Sequence, residues 1–298
     1  MIHTYPNGGR GIEGYWAFLR ERYRILLRRR AGLPAPWTED PVLRAWRFCN
    51  VFREDDRVTI WFREQIRDPL RDDPEVLFAT VAFRWFNTIT SGEILRPYLV
   101  HPPGWDRKGV QEELEAAREA GTTLFTSAFM ISSAPGKPKH VDLLDNLDWV
   151  LNNTRSLFFG NGLTEPRTKE AMMALLLEVP RLGNFAAYQV VVDLTHTYLL
   201  ENASDLNTFT VAGPGCAKGL GYTFFDDPEH FSYGSKKDQV EMLRLMVELR
   251  EAGTSDPKLW PREWPVLPLS DVENGACEVA KWRAGHEGKR LKRRYKPS

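Results

Sequence analysis

A chain of 298 residues suffices for one large domain or two modest ones, and 42% hydrophobic residues give it the means for a sizeable core. Forty basic residues balance forty acidic ones, so the global field is no argument for a nucleic-acid or membrane binder; local clusters remain for such a role. Cys49, Cys216 and Cys277 are odd in number and far apart, with no CxxC pair, so neither a disulfide framework nor a cysteine zinc site is indicated. The opening residues contain no apolar signal segment and no long apolar stretch follows, so the expectation is a cytosolic protein without membrane contact.

Residues 1–14 read as an N-terminal extension. Helical spacing of Trp16, Leu19, Tyr23, Leu26 and Leu27 predicts a helix over residues 15–30, interleaved with arginines and ended by Gly32 and Pro34. A linker follows, with Thr38 or Asp40 as N-cap. Further helices are expected over residues 42–67, 72–90 and 112–120, the last closed by Gly121. Residues 132–139 form a polar loop. Helical patterns resume over 141–159, 165–177, 185–200 and 238–252. The valines of QVVVDL favour a strand by propensity, but their neighbours on both sides are helical. The tail, residues 284–298, is basic and is expected to fray. With no alternating strand series, βαβ rhythm or repeat, the expected fold is mainly α, a single helical domain over residues 15–283 with about a dozen helices.

The chain has no Walker phosphate loop, no HExxH, no GxSxG and no dinucleotide fingerprint. Its most informative local feature is a helix, the turn LEVPRLG and a second helix over residues 177–200. Two readings stand: an ordinary helix–helix turn, or a helix-hairpin-helix element. In the second, backbone N–H groups near Gly183 and Asn184, with Arg181, meet a DNA phosphate. Ala186 and Ala187 let the two helices approach. The run 213–221 is Gly-rich: either a linking turn, or a loop in which Gly213 and Gly215 admit close backbone approach and Lys218 sits on a phosphate. In residues 47–58, Asn50, Arg53, Glu54 and Arg57 share one face if the segment is helical. That face is a solvated ion-pair surface or, given its aromatic flanks, partly internal. Asn87, within FRWFN, has the same character, and a buried Asn needs partners. Arg28–Arg30 and residues 289–296 are phosphate contacts or solvated ends. Asp142, Asp145 and Asp148 recur every third residue, on a solvated face or around a metal. No two histidines stand at ligand spacing, and no metal site is expected.

Five blocks occur in order: RFCNVFREDDRVT (47–59), FRWFN (83–87), GNFAAYQVVVDL (183–194), GPGCAKGL (213–220) and CEVAKW (277–282). Together they resemble the phage amino acid:DNA transferases, the α-glutamyl/putrescinyl thymine pyrophosphorylases. They also resemble the related helical domain of phage 5-hydroxymethyl-deoxyuridine DNA kinases. Family members often carry Arg where this chain has Lys218, which keeps the charge but loses a forked phosphate contact. The resemblance implies kinship with helix-hairpin-helix DNA glycosylases. It further implies a reaction, in the host cytoplasm, on double-stranded phage DNA bearing pyrophosphorylated 5-hydroxymethyluracil. Pyrophosphate is displaced and an amino acid or polyamine is attached. Without a phosphate loop the transferase is favoured over the kinase, with no ATP and no evident cofactor; a divalent metal on the leaving group is left open. On this resemblance Arg53 and Arg57 hold the leaving group. Asn50 and Asn87 read the extruded base, with Gln189 also in the substrate site. Asp193 or Asp205 deprotonates the amine. Arg181, Gly183, Asn184, Gly213, Gly215 and Lys218 contact DNA. The rival readings are a glycosylase acting on a modified pyrimidine and a non-catalytic DNA-binding helical protein.

Overall fold

A computed structural model describes residues 5–100, 104–126, 133–158 and 168–295. Among these residues there are twelve α-helices and no β-strand beyond one isolated antiparallel bridge between Trp46 and Arg294. The mainly helical fold expected from the sequence is therefore what the chain adopts. No described helix is long and apolar enough to cross a membrane. The chain divides into two compact units, one of residues 1–56 with 207–298, the other of residues 57–206.

The discontinuous unit holds α1 (Gly11–Arg30), α2 (Pro41–Ala45), α10 (Pro214–Phe224), α11 (Lys236–Ser255) and α12 (Leu269–His286). Its core is aromatic: Tyr15, Trp16, Phe18, Trp260 and Trp282 are buried among Leu245, Leu249 and Val279. Asp40, rather than Thr38, caps α2, its Oδ1 accepting from the N–H groups of Val42 and Leu43 at 2.8 and 3.0 Å. Its Oδ2 accepts from Tyr5, Trp282 and His286, tying the first residues of the chain to α12.

The Gly-rich run 213–221 is helix rather than loop. Gly213 is the N-cap of α10, at φ −82°, and the rest of the run is helix. These glycines serve packing. A Cβ at Gly219 would stand 1.8 Å from the carbonyl oxygen of Ala276, and one at Gly215 would stand 2.3 Å from Cys277 Sγ. The absence of side chains lets α10 lie directly on the backbone of α12. Gly219→Ala should therefore force these helices apart, because backbone cannot yield as a side-chain tip can. A loss of about 1–3 kcal/mol or more, read as a lowered urea midpoint at unchanged slope, is expected.

The tail does not fray over its described part. Leu291 is buried in the core, and the N–H of Tyr295 donates to the Ala45 carbonyl while that of Arg47 donates to Arg293.

The second unit holds α3 (Arg57–Phe62), α4 (Val76–Phe86), α5 (Ile89–Val100), α6 (Arg107–Glu119), α7 (Lys139–Phe158), α8 (Lys169–Leu176) and α9 (Asn184–Leu194). Helix α4 is buried along its whole length. Asn87 ends it in the left-handed conformation, at φ 51°, so the helix expected through residue 90 breaks there and α5 begins. Phe62 and Phe83 stack at 4.5 Å, and Gly92 leaves room for Trp61, whose ring would stand 2.3 Å from a Cβ there. The start of the helix expected over 165–177 lies outside the described residues; α8 is its described part. The aspartates of α7 are engaged: Asp145 and Asp148 both pair with Arg107, and Asp142 accepts from the N–H of Ala134.

Candidate functional site

In the first unit the polar residues gather around residues 46–56. This stretch is not the helix that its spacing predicts. Trp46 leaves α2 in extended conformation, residues 53–55 make one short 3-10 turn, and α3 starts at Arg57. The reason lies in where the backbone donors go. The N–H of Cys49 donates to Glu278 Oε2 at 2.8 Å, that of Asn50 to Asp56 Oδ1 at 3.0 Å, and that of Arg53 to Asp271 Oδ1 at 3.1 Å. Carboxylates take the bonds that i−4 carbonyls take in a helix, and two of them, Asp271 and Glu278, come from α12 at i, i+7 spacing. Arg22, buried on α1, donates to the carbonyls of Cys49 and Phe48 and to Asn50 Oδ1, while Asn50 Nδ2 donates to the Asp55 carbonyl. Asn50 and Arg53 are thus brought together, as expected, but by a carboxylate-held loop rather than by a helix face.

These carboxyls are electrostatically unusual. Burial pushes Asp271 up to about 7, opposed by the N–H and the charge of Arg53 and reinforced by Glu54 and Asp56. Burial also pushes Glu273, whose Oε1 accepts from the N–H of Gly213 at 3.3 Å, up to about 7, and Asp56 up to about 6. Arg53 acts on all three. The loop that carries Arg53 is thus flanked by buried carboxyls that hold their protons to higher pH than free carboxyls do.

In the second unit α4 and α9 are joined by a buried ion pair. Arg84 Nε and Nη2 donate to the two oxygens of Asp193 at 2.5 and 2.7 Å, and Nη1 donates to Asn87 Oδ1 at 2.8 Å. The guanidinium also lies over the Phe62 ring, 4.9 Å from its centre. Asn87 and Asp193 are therefore brought together, through an arginine that sequence reasoning passed over. Gln189 lies part-buried on α9, and Arg57 is exposed at the start of α3. Asp205 reinforces the start of α8, whose N-cap is Thr168: its two oxygens accept from the N–H groups of Lys169 and Glu170 at 2.7 and 3.0 Å. Lys169 itself is buried, its ammonium pushed down to about 8 by desolvation. Asp205→Ala should cost about 1 kcal/mol of stability by leaving two N–H groups at the start of α8 without their acceptor, readable in thermal unfolding.

The turn between α8 and α9 is a tight hairpin. Arg181 takes φ 66°, and Gly183 is the N-cap of α9 at φ −75° without a side-chain capping bond. Gly183 and Asn184 are exposed, while Ala186 and Ala187 are buried. Arg181 Nε stands 3.9 Å from Asp142 Oδ2. Lys218, on α10 in the other unit, pairs with Glu229 at 2.7 Å.

A family model described as the helical domain of 5-hmdU DNA kinase matches residues 10–290. The chain belongs to this family. A 5-hmdU DNA kinase of Bacillus phage SP10 is 26% identical over 307 aligned positions, covering 93% of this chain and 46% of that protein. The chain thus spans just under half the length of that curated relative. No solved structure matches.

The sequence reading did not single out Arg22, Arg84, Asp271, Glu273 and Glu278. Arg84 did carry a signal. It is the one charge in the apolar run VLFATVAFRWF, three residues before Asn87, and a charge in such a run calls for a buried partner. Glu278 stands inside CEVAKW, again among apolar residues. Asp271 and Glu273 carry no comparable mark, since LSDVEN reads as an ordinary helix start.

Proposed function

We propose that this member of the 5-hmdU DNA kinase helical-domain family is an enzyme of thymidine hypermodification in phage DNA, acting in the host cytoplasm. Its reaction displaces pyrophosphate from pyrophosphorylated 5-hydroxymethyluracil and attaches an amino acid or polyamine. The observation that carries the reading is the hydrogen bond from the Arg53 N–H to Asp271 Oδ1 at 3.1 Å, which sets Arg53 beside a buried carboxyl raised to about 7, with Glu273 on the same helix raised likewise. Each partner answers one demand of the chemistry. The incoming ammonium must lose a proton, and a carboxylate titrating near 7 accepts it. The nitrogen lone pair then bonds to the methylene carbon as the bond from that carbon to the pyrophosphate oxygen breaks. The departing electrons are stabilised by cation, for which Arg53 is the candidate. Asn50, fixed by Arg22 and the Asp55 carbonyl, supplies polar edges for an extruded pyrimidine. The α8–α9 hairpin, with an uncapped helix N-terminus and exposed Gly183 and Asn184, suits a DNA phosphate. No ATP takes part in this reading.

The test incubates DNA carrying the pyrophosphorylated base with the protein and a panel of amines, following pyrophosphate release and nucleoside mass together. A heavier nucleoside with matched pyrophosphate release is expected. An abasic site would replace this reading with a glycosylase, and ATP-dependent phosphorylation of 5-hydroxymethyluracil would replace it with a kinase.

A further inference from the structure

The chain carries no net charge, yet its basic residues are not evenly spread. Residues 28–47 hold five arginines against Glu39 and Asp40, and residues 284–295 hold five lysines or arginines against Glu287, a net of +7. The fold joins these two segments within one unit. Trp46 bridges to Arg294, the N–H of Arg47 donates to the Arg293 carbonyl at 3.0 Å, and the N–H of Tyr295 donates to the Ala45 carbonyl at 2.9 Å. Leu291, buried in the core, anchors the tail from beneath.

Aromatic rings interleave with the cations. Arg294 lies over the Trp46 ring at 5.5 Å, Arg29 lies over Trp37 at 5.4 Å, and Trp37 meets Tyr295 edge-on at 6.2 Å. Stacking holds a planar guanidinium in place while leaving its N–H edge for an acceptor, which lowers the ordering cost of binding a phosphate. Asp40 does not oppose this charge from the surface, being buried and engaged by five donors. Arg29, Arg47, Arg290, Lys292 and Arg294 are exposed and have no carboxylate within ion-pair distance among the described residues. A neighbouring cavity of about 580 Å³ is a weaker candidate: Arg20, Arg24 and Arg28 in its wall are matched by Glu21, Glu39 and Asp40, so it attracts no net anion.

We propose that residues 28–47 and 284–295 form one docking face for the phosphate backbone of duplex DNA, in addition to the α8–α9 hairpin. The proposal rests on the reading that this protein works on DNA, and it concerns binding rather than chemistry. Such a face gives sequence-tolerant affinity that steers and holds the duplex, with the steep salt dependence of counterion release.

The test measures anisotropy of a labelled, unmodified duplex against potassium chloride concentration for the full chain and two variants. One is Arg290→Ala/Lys292→Ala/Arg294→Ala; the other is Arg29→Ala/Arg47→Ala, with circular dichroism confirming that both remain folded. Each phosphate that a variant no longer neutralises flattens the plot of log affinity against log salt by about 0.9. The slope should therefore fall by about 2 to 3 for the triple variant and about 1 to 2 for the double variant, both binding more weakly at low salt. Unchanged slopes and affinities in both variants would overturn the face, as would an unmodified chain that binds duplex without salt dependence. So would loss of binding to phosphatidylserine/phosphatidylcholine vesicles with duplex binding intact, which would make the face a membrane-binding surface. Altered slopes combined with no heavier nucleoside in the mass assay would uphold the face and reject the transferase.

Discussion

Asp193→Ala should cost about 3–5 kcal/mol, the loss typical of leaving one member of a buried ion pair without its partner. Arg84 and Asp193 are 3% and 0% exposed, so water cannot replace the missing carboxylate. The guanidinium would keep Asn87 and the Phe62 ring but lose the two acceptors that its fork is built around. The denaturant midpoint should fall sharply, and amide exchange should locate the loss in α4 and α9. Arg84→Met/Asp193→Leu should recover much of that stability, because two apolar groups of similar size remove both charges together. A double variant as unstable as Asp193→Ala would mean that the pair itself holds α4 to α9, beyond avoiding an unpaired buried charge. Measured with the nucleoside assay, the same variants separate a structural Asp193 from a catalytic one. A stable double variant with full activity would exclude Asp193 as the base.

Asp271→Asn and Glu273→Gln should lower the transfer rate by about 10²–10⁴-fold for whichever carboxyl takes the amine's proton, and by much less for the other. The pH profile carries the sharper signature. The working group must be ionised to accept a proton, so the rate should rise with pH through about 7 and level above it. Stability should move the opposite way. Both carboxyls hold their protons to higher pH in the folded chain than in the unfolded one. Their contribution is therefore fully present below the unfolded carboxyl range and lost as pH rises through about 7. Asp271→Asn should flatten that decline in denaturant midpoint between about pH 4 and 7. A rate independent of pH across this window would remove both residues from the acid–base role.

How far the site was legible depends on the range of the interactions that build it. Asn50, Arg53 and Asn87 stand out because each is a polar residue within an apolar run, a contrast visible in a window of a few residues. The conformation around Asn50 departs from its local pattern for a related reason. The i, i+3, i+4 spacing of residues 50–57 is a helical pattern, yet the N–H groups of Cys49 and Arg53 are claimed by Glu278 and Asp271, more than two hundred residues away. Likewise the run 213–221 reads as a flexible loop because glycine disfavours helix locally. Its glycines are instead the condition for α10 to reach the backbone of α12, and that packing offsets the weak propensity.

The sequence by itself determined that the chain is helical, since a period near 3.6 is repeated within each segment and needs no knowledge of distant residues. It also marked the α8–α9 hairpin, through the Pro, Arg and Gly of VPRLG and the two alanines that follow. Tertiary structure alone decided the partners. It gave Arg84 to Asp193, set Asp205 on the first N–H groups of α8, docked the basic tail beside Trp46, and set Asp271 on the N–H of Arg53. A charge leaves no trace in sequence of which opposite charge it will meet. That choice is made when burial removes water, and each buried polar group must then be paired with whatever the fold brings within hydrogen-bonding distance.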